Sequence, residues 1–465
     1  MFKIQNLTRL IFLCGGSLLL ISGIGAQTVG QKLQKAYTAF ENDSQMAHAM
    51  SSLFVIDAKT GQVVFDRNSR IGLAPASTQK IITSVTAFEL LGKDYRYATE
   101  FGYSGSGDSV SMYIRPSGDP TLGSWRWNTT HEQAIMKNLK TEMAGLGKRF
   151  NQTIEINQAG WETGRIPDGW IWQDIANYYG AGAGALNWRE NQFNLVMKSG
   201  SRVGDGVEIV KTDPPLFNHA LRSEAKAEKA GSGDNAYIYF PVSGKQGIVR
   251  GTIPVNETDF TISGAMPDPP AQFTEKLRKL LPAEISNSIS LITLDQEPEK
   301  KPAVFYTHYS PTLDSIIYWF NKRSINLYGE ALLKTMAFAK KGVGSTPVGV
   351  ALVRDFWKGK GVDDDELNLY DGSGLSPLNR VTTHAQTEIL RYARGRDWFP
   401  EFLRSLPEYN GMTMKSGTIS DVKGFCGYHK ARDGKEYIFS FLVNNYSGKT
   451  SSLVAKMYSI LNELK

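Results

Sequence analysis

The sequence predicts an α+β fold in which both ends of the chain build one antiparallel sheet flanked by helices. Alternating apolar and polar residues form a hairpin pattern near the N-terminus, and three more alternating runs lie near the C-terminus. Between them the pattern changes to short strands broken by glycine and proline, which indicates a long β-rich insertion. The 465 residues exceed what one hydrophobic core normally serves, so we expect two or three domains.

The strands of the predicted sheet lie at the two ends of the chain. The N-terminal hairpin is "SSLFVIDAKTGQVVFDRNS", with its turn at Lys59-Thr60-Gly61, and a short amphipathic helix, "KLQKAYTAFENDSQMAHAM", precedes it. The C-terminal strands are "GMTMKSG", "KGFCGYHKA" and "EYIFSFLVNN", followed by the amphipathic helix "SSLVAKMYSILNELK". These three strands can form an antiparallel meander, to which the hairpin adds two strands.

A helix is predicted directly after the hairpin, in "LAPASTQKIITSVTAFELLGK". Its apolar residues recur at helical spacing at Ile81, Ile82, Val85, Phe88 and Leu91. Gly92 is a natural stop, and Ser77 stands where a helix N-cap is expected. Lys80 does not fit, because the first turn carries the positive end of the helix dipole. That field favours the neutral amine, which is the form that a general base needs.

The insertion runs from about residue 99 to about residue 295 and contains alternating runs such as "DSVSMYIR", "QTIEIN", "NQFNLVMKSG" and "NAYIYFPVSG". Helical periodicity returns after it, in "TLDSIIYWFNKRSINLYGEALLKTMAFAKK" and "TTHAQTEILRYARG". We therefore predict an outer domain interrupted by two nested, smaller β-rich domains. The predicted bounds are 27–98 and 296–465 for the outer domain, 99–190 and 256–295 for the first inserted domain, and 191–255 for the second.

The N-terminus predicts export. Lys3 and Arg9 precede an apolar run from Leu10 to Ile24, and small residues follow it. This pattern is typical of a secretory signal peptide over residues 1–26, cleaved after Ala26. A retained membrane anchor is the alternative. We expect a periplasmic or other cell-envelope location, with at most peripheral membrane association.

The composition disfavours several classes of protein. Apolar residues make up 41% and charged residues 21% of the chain, which is ordinary for a globular protein and does not indicate disorder. The formal charge of +6 is small for this length, and we find no dense Lys/Arg stripe, so we expect no nucleic-acid partner. Removal of the signal peptide leaves Cys426 as the only cysteine, so no internal disulfide is expected.

Three short motifs supply the groups that serine acyl transfer needs. Ser77 and Lys80 are three residues apart, Ser324-Ile325-Asn326 lies between two helical patterns, and Lys415-Ser416-Gly417-Thr418 lies on a predicted strand. Gly417 is small enough to let a ligand approach the backbone closely. Each motif alone is a weak signal, because each residue has an ordinary role as a cap, a turn or a surface group. Their order along the chain is specific.

Two further matches are interpreted as chance. Ser223 and Lys226 also stand three apart, but the segment "LRSEAKAEK" is charged and has no apolar face to hold a rigid geometry. Lys59-Thr60-Gly61 matches the third motif, but it precedes Ser77 and belongs to the hairpin turn. We expect both to be solvated surface.

The order Ser-x-x-Lys, Ser-x-Asn, Lys-[Thr/Ser]-Gly resembles the penicillin-recognising serine D,D-peptidases and β-lactamases. Ser77 and Ser324 are 247 positions apart, and this long gap is similar to the class C low-molecular-mass penicillin-binding proteins, the D-alanyl-D-alanine carboxypeptidase/endopeptidases of peptidase family S13. Four further segments resemble that family: "SGDPTL" (its GGDPTL, with Ser117 departing), "PDGWIWQDIANYYGAGAGALNWRENQF", "DGSGLSPLNRVT" (its DGSGLSRxNRVS) and "KSGTISDVKGFCGY" (its KTGTLxxVxxxAGY).

The resemblance implies a transpeptidase/β-lactamase-like fold for the outer domain and acyl transfer without a metal or cofactor. The implied substrates are peptidoglycan stem peptides ending in D-Ala-D-Ala, with β-lactams as inhibitors. Ser77 would attack the carbonyl of the penultimate D-Ala and release the terminal D-Ala. Lys80, near the second cation Lys415, would accept the proton, and Ser324 would relay it to the leaving amine.

The resemblance also implies the groups that bind the substrate. Asn326 would donate to the peptide side of the substrate. Lys415, Ser416 and Thr418 suit the free C-terminal carboxylate, because a cation and two hydroxyls at a cleft edge select a chain end. The backbone N–H groups of Ser77 and Thr418 would form the oxyanion hole.

A side pocket is implied by two further positions. Asp174 would contact the free polar end of the third stem-peptide residue, commonly diaminopimelate, and Tyr179 would line the same pocket. The alternative for Asp174 is a carboxylate on a surface helix. The loop from Asp371 to Gly374 is interpreted as a structural turn of the Asx type beside the cleft.

The sequence disfavours four rival functions. A β-lactamase shares the mechanism, but it does not need the insertion. An inactive penicillin- or wall-binding protein would have no use for all the motif residues, which are intact. A zinc peptidase is disfavoured because the six histidines are scattered with no pair at ligand spacing, and the absence of Gly-x-Ser-x-Gly disfavours an α/β-hydrolase. The sequence leaves open whether carboxypeptidase or cross-link endopeptidase activity dominates.

Overall fold

The structure is a computed structural model that describes residues 27–286 and 288–465. The predicted signal peptide, and with it the alternative of a retained anchor, lies outside the described residues. Within the described ranges, no helix is both long and apolar enough to cross a bilayer.

The described helices begin and end as follows: α1 (Val29–Glu41), α2 (Lys80–Leu91), α3 (Glu132–Gly145), α4 (Pro269–Arg278), α5 (Ala283–Ser286), α6 (Leu313–Lys322), α7 (Asn326–Lys341), α8 (Thr346–Lys358), α9 (Thr383–Arg394), α10 (Phe399–Ser405) and α11 (Thr450–Leu461). The described strands are β1 (Met50–Asp57), β2 (Val63–Arg67), β3 (Ala98–Ser104), β4 (Ser109–Arg115), β5 (Arg149–Asn157), β6 (Gln192–Ser199), β7 (Val207–Asp213), β8 (Ala220–Ser223), β9 (Lys226–Glu228), β10 (Asn235–Tyr239), β11 (Gln246–Pro254), β12 (Phe260–Ala265), β13 (Ser290–Leu294), β14 (Ala303–Tyr309), β15 (Leu367–Asn368), β16 (Arg380–Val381), β17 (Glu408–Tyr409), β18 (Met412–Ile419), β19 (Val422–Lys430) and β20 (Glu436–Asn444).

Both ends of the chain build one six-stranded antiparallel sheet, in the order β17-β18-β19-β20-β1-β2. The predicted meander and the added hairpin are confirmed. Strand β1 is buried on both faces, because its side chains alternate between two cores. Leu53 faces a core that includes residues of α1 and α11, and Phe54 faces a core that includes residues of α2 and α9.

The insertion forms further sheets, and it contains helices that the sequence analysis did not predict. A five-stranded sheet, β13-β5-β4-β3-β14, shares a core with α3 and α4. A three-stranded sheet, β12-β6-β7, shares another core with the sheet formed by β8, β9, β10 and β11. Strand β14 lies beyond the boundary predicted at residue 295, and β12 lies beyond the one predicted at residue 255. The domain bounds stay a prediction.

Two predictions about surface segments are confirmed. Ser223 ends β8 and Lys226 begins β9, and the lysine is exposed. Lys59 and Thr60 donate their backbone N–H groups to Asp57 Oδ1, at 3.0 and 2.8 Å, in the hairpin turn. Neither segment belongs to the site described below.

The segment of the insertion from residue 161 to residue 191 packs against the outer domain. Lys334 of α7 is buried there, and its Nζ donates to the carbonyls of Gly164 and Ala183 at 2.6 and 3.0 Å. Trp170 Nε1 donates to Asp371 Oδ2 at 2.9 Å. These contacts place this segment against α7 and the loop that follows β15.

Candidate active site

Ser77 lies on a 3₁₀ turn, Ala76–Gln79, that directly precedes α2. The alternative of an N-cap does not describe Ser77, because α2 begins at Lys80 and its N-cap residue is Gln79, without a side-chain cap. Ala76 is fully buried at φ +46°, in the left-handed region that costs a non-glycine residue about 1–2 kcal/mol. The strained backbone at Ala76, next to Ser77, is therefore held in place by the residues packed around it.

Two distant glycines pack closely against the backbone of this turn. A Cβ at Gly374 would lie 2.0 Å from the Ala76 carbonyl oxygen, and a Cβ at Gly417 would lie 2.9 Å from the Ser77 nitrogen. The missing side chain of Gly417 therefore lets strand β18 approach the turn that carries Ser77. The predicted approach of a ligand at Gly417 stays a prediction.

Lys80 is fully buried, and its Nζ is within hydrogen-bond distance of three acceptors. They are Ser77 Oγ at 3.0 Å, Asn326 Oδ1 at 2.6 Å and the Ser373 carbonyl at 2.7 Å. The predicted helical spacing of Ser77 and Lys80 therefore brings the two side chains together.

Burial lowers the pKa of Lys80 well below its usual range, and repulsion from Lys415 lowers it further. A neutral amine has two N–H groups and one lone pair. If Asn326 and Ser373 accept the two N–H groups, the lone pair faces the Ser77 hydroxyl. This geometry allows Lys80 to take the Ser77 proton.

A second serine and lysine pair faces the first. Ser324 lies between α6 and α7 at φ +56°, and Lys415 Nζ donates to Ser324 Oγ at 3.0 Å. Lys415 Nζ also donates to the Ser416 carbonyl at 2.9 Å. Burial lowers the pKa of Lys415 to about 7.

Asn326 is the first residue of α7 and is largely buried. Its Oδ1 accepts from Lys80, and its Nδ2 donates to the carbonyl of Tyr179 at 2.7 Å. The carboxamide therefore links the base to the 161–191 segment of the insertion. In this structure Asn326 binds protein on both sides of its amide.

Thr418 has a partner that the sequence analysis missed. Lys423 lies directly opposite Thr418 on β19, and its Nζ donates to Thr418 Oγ1 at 2.8 Å. Burial lowers the pKa of Lys423 to about 8. This contact could have been found from the sequence, because only four residues separate Thr418 and Lys423, and a tight β-hairpin places such positions opposite each other.

The loop from Asp371 to Gly374 has the structural role that was predicted. Asp371 is buried, and its Oδ1 accepts from the backbone N–H of Gly374 at 2.8 Å, three residues on, whereas the predicted Asx turn would bond the residue two positions on. Its Oδ1 also accepts from Gln79 Nε2 at 3.0 Å. The loop thereby holds the end of the turn that carries Ser77.

Glu330 is a buried carboxylic acid beneath the site that the sequence analysis missed. Its Oε2 accepts from the Gly372 backbone N–H at 3.0 Å. Burial raises its pKa to about 8, and repulsion from Asp371 adds to the shift. The signal was present, because Asn326, Glu330 and Lys334 repeat every four residues along an otherwise apolar helix.

The motifs meet at one cavity of about 510 Å³. Six predicted site residues line it: Ser77, Asp174, Tyr179, Ser324, Asn326 and Thr418. Lys80 and Lys415 are buried and reach the cavity through the serines that they contact. Ser416 does not line the cavity and contributes its carbonyl to Lys415.

Asp174 and Tyr179 form one part of the cavity wall. Asp174 lies in a turn and is half-buried, so the alternative of a surface helix does not describe it. Burial raises the pKa of Asp174. Burial and the neighbouring Asp174 carboxylate raise the pKa of Tyr179. A carboxylate and a phenol here can accept hydrogen bonds from a polar group of a ligand.

The arrangement suits acyl transfer by a serine. It combines a hydroxyl in contact with a buried lysine, a second hydroxyl in contact with a second lysine, and backbone N–H groups at a strand edge. A family model described as the D-Ala-D-Ala carboxypeptidase 3 (S13) family matches residues 33–408. The chain belongs to the S13 family. The predicted resemblance, fold class and reaction class, serine-type D-Ala-D-Ala carboxypeptidase, are confirmed.

Known proteins match the chain over most of its length. It is 26% identical to the D-alanyl-D-alanine carboxypeptidase of Actinomadura sp. (strain R39), over 94% of this chain and 85% of that protein. The crystal structure of penicillin binding protein 4 (dacB) from Haemophilus influenzae matches with a TM-score of 0.78 at 18% identity, over 93% of this chain and 99% of that one. The same protein complexed with a β-lactam matches with a TM-score of 0.73 at 18% identity, with the same coverage of both chains. These structures share the fold of this S13 chain.

Proposed function

We propose that this S13 enzyme hydrolyses peptidoglycan stem peptides through an acyl-enzyme on Ser77. It would remove the terminal D-Ala, cleave D-Ala-diamino acid cross-links, or do both, and it would be inhibited by penicillin. The observation that carries the proposal is the contact between Ser77 Oγ and the Nζ of the buried Lys80, at 3.0 Å.

Acylation would need two proton transfers, one from the attacking Ser77 hydroxyl and one to the leaving amine. Ser77 Oγ attacks the carbonyl carbon of the penultimate D-Ala while its proton moves to the neutral Lys80. The tetrahedral oxyanion collapses, the C–N bond breaks, and Ser324 relays the proton held on Lys80 to the amine of the leaving D-Ala, so Lys80 is neutral again. Water then attacks the ester and gives a proton to Lys80, and this proton passes to Ser77 Oγ as the C–O bond breaks and the shortened peptide leaves.

The positions of Lys415 and Thr418 support recognition of a chain end. Lys415 lies behind Ser324, and Thr418 lines the cavity with Lys423 attached to its hydroxyl. Two cations and a hydroxyl at one end of the cavity suit the free carboxylate of the terminal D-Ala. Ser416 does not line the cavity, so its proposed contribution to carboxylate binding is to hold Lys415 through its carbonyl. The backbone N–H groups of Ser77 and Thr418 are proposed to bind the oxyanion.

Asp174 and Tyr179 support a preference for a diamino acid at the third stem-peptide position. A half-buried carboxylate attracts the ammonium group at the free end of such a side chain, and the tyrosine hydroxyl adds a hydrogen bond. Hydrolysis of two stem peptides that differ only in lysine or norleucine at this position tests the preference, because norleucine lacks the ammonium group.

We place the reaction in the cell envelope, after removal of residues 1–26. The apolar N-terminal run supports export, and a peptidoglycan substrate requires it. N-terminal sequencing of the mature protein tests the cleavage after Ala26.

The deciding experiment is intact-mass spectrometry of the mature protein after incubation with benzylpenicillin, with Ser77→Ala as the control. A long-lived adduct on the wild type alone supports the D,D-peptidase. Penicillin consumed without an adduct supports a β-lactamase, and penicillin left intact without an adduct supports an inactive binding protein. Muropeptide digestion then separates carboxypeptidase from endopeptidase activity.

A further inference from the structure

A second cavity, of about 360 Å³, lies beside the catalytic cavity in the insertion. The two cavities share Gln192 in their walls, and the successive residues Trp125 and Arg126 line one cavity each. Volumes of about 300–1,000 Å³ are typical of small-molecule sites. The acyl-transfer mechanism uses no residue of this second cavity.

One wall of the second cavity is a row of polar side chains across three neighbouring strands. Asn194 of β6 pairs with Asp213 of β7 on one side and with Ser263 of β12 on the other. Directly opposed residues point to the same face of a sheet, so a carboxylate, a carboxamide and a hydroxyl lie side by side. Gln192 follows on the same face, whereas Phe193 is buried in the core behind it.

Most hydrogen-bonding capacity of this row is open. Ser263 Oγ donates to Asn194 Oδ1 at 3.0 Å, which leaves both N–H groups of the Asn194 amide available. Among the described residues, none donates to the Asp213 carboxylate or contacts the Gln192 amide by a hydrogen bond. The row therefore offers both donors and acceptors to a ligand.

Trp125 provides an aromatic surface at the same cavity. Its side chain is 47% exposed, and the Arg126 guanidinium lies 5.6 Å from its ring centre. Arg126 is fixed in turn, because its Nε donates to the buried Glu190 at 2.7 Å. The indole is thus supported from behind while nearly half of its surface stays open. Exposed aromatic faces next to polar side chains suit a ligand with one apolar and one hydroxylated surface.

The charges around the cavity balance. Glu132 in the wall pairs with Arg189, at 2.7 Å, and with Lys276, so two cations face this carboxylate. Asp213 is a second, exposed carboxylate, and the four charges sum to zero. A neutral, hydroxylated ring fits these features.

We propose that the second cavity binds an N-acetylated sugar of the glycan strand to which the stem peptide is attached. The sugar ring lies on Trp125, and its hydroxyl and acetamido groups bond to Asp213, Asn194 and Gln192. The choice of ligand rests on the proposed function. A stem peptide in the catalytic cavity is covalently attached to its glycan strand, so a sugar of that strand lies near the peptide.

Calorimetric titration with the N-acetylglucosamine tetramer tests this site, and Ser77→Ala protein is used so that no catalysis is needed. We expect the tetramer to bind, and we expect Trp125→Ala and Asn194→Ala each to weaken binding about tenfold or more. Trp172→Ala is the matched control, because Trp172 is 55% exposed on the insertion and does not line the second cavity. Thermal unfolding of each variant checks that it is folded.

Two results would overturn the inference. One is no binding of the tetramer to the Ser77→Ala protein. The other is that the folded Trp125→Ala and Asn194→Ala variants bind the tetramer as tightly as the Ser77→Ala protein does, or that only Trp172→Ala loses affinity. Neither result bears on the proposed peptidase reaction, which the penicillin adduct on Ser77 decides separately.

Discussion

Asn326 Oδ1 accepts a hydrogen bond from Lys80 Nζ at 2.6 Å, and this contact joins the second motif to the first. The Nδ2 of the same side chain donates to the carbonyl of Tyr179 at 2.7 Å. One carboxamide therefore orients the base and also holds the cavity wall. Because an amide is neutral, it orients the lysine without a charge that would raise the pKa of Lys80.

We expect Asn326→Asp to slow acylation by benzylpenicillin about tenfold or more at pH 7. A carboxylate beside Lys80 favours the ammonium form, raises the pKa of Lys80 and removes the neutral base, so the rate should recover as the pH rises. The measurement is the acylation rate against pH. Asn326→Ala, which adds no charge, should slow the reaction without moving the acid limb; identical pH profiles for the two variants would contradict this account.

We expect Lys415 to set the alkaline limit of carboxypeptidase activity. Burial lowers its pKa to about 7, so the cation that suits the substrate carboxylate is lost as the pH rises through this value. We expect kcat/KM for a peptide with a free C-terminal carboxylate to fall above about pH 7. In Lys415→Arg this fall should move to higher pH, because the guanidinium stays charged and only Lys423, with its pKa of about 8, still loses its charge.

A peptide amide is the control for this prediction, since it has no C-terminal carboxylate to bind. Its slow hydrolysis should show no such fall through the same pH range. An alkaline limb that Lys415→Arg leaves unmoved would assign the limb to another group.

The sequence predicted the parts of this site that depend on local pattern. Alternation along the hairpin and along β18, β19 and β20 predicted five of the six strands of the sheet, whereas β17 was not predicted. The order of the motifs singled out Ser77, Lys80 and Ser324, whose side chains the structure brings to one cavity. Helix α3 was missed although Ile135, Leu139 and Met143 repeat every four residues, because strand patterns dominate the segments around it.

The conformation of the turn at Ser77 could not be predicted from its neighbours in sequence. A serine before an apolar helix is usually an N-cap. Here the backbone of the turn packs closely against Gly374 and Gly417, which lie about 300 residues away in the sequence. Burial of Lys80 and Lys415 has the same origin, since tertiary packing and not local sequence removes water from them. Contacts between distant segments decided these features.

Gly417→Ala tests the contact between β18 and the turn. A Cβ at residue 417 would lie 2.6 Å from the Pro75 carbonyl oxygen and 2.8 Å from the Thr78 nitrogen, so the turn must shift. Because a displacement of about 1 Å can cost 100-fold in rate, we expect acylation of Ser77 to slow by about that factor. Gly145→Ala, whose Cβ would meet nothing within 4 Å, is the control. A wild-type acylation rate in folded Gly417→Ala would refute the role of this contact.

Glu330 makes the stability of the protein depend on pH. Its pKa is raised to about 8 in the folded chain, from about 4.5 when it is unfolded. The folded state therefore binds more protons between these values, and this contribution to stability is lost as the pH rises toward 8. Glu330→Gln stays neutral, so its Tm should rise relative to the wild type between pH 5 and pH 8.

Unfolding of both proteins at the two pH values measures this difference. Glu142→Gln removes a carboxylate from an exposed position of α3 and serves as the matched control. A gap between Glu330→Gln and the wild type that is the same at pH 5 and pH 8 would show that Glu330 does not titrate as described.

Glu190 fixes the insertion to α7. It is fully buried and accepts from Arg126 Nε, Ser124 Oγ and Tyr328 Oη, each at 2.7 Å. Removal of its charge leaves a largely buried guanidinium unpaired, which typically costs about 3–5 kcal/mol. We therefore expect Glu190→Gln to lower the Tm by about 5 °C or more. Glu208→Gln, which breaks the exposed pair with Lys198, should change the Tm by less than about 2 °C, and an equal change in both variants would argue against a special role of Glu190.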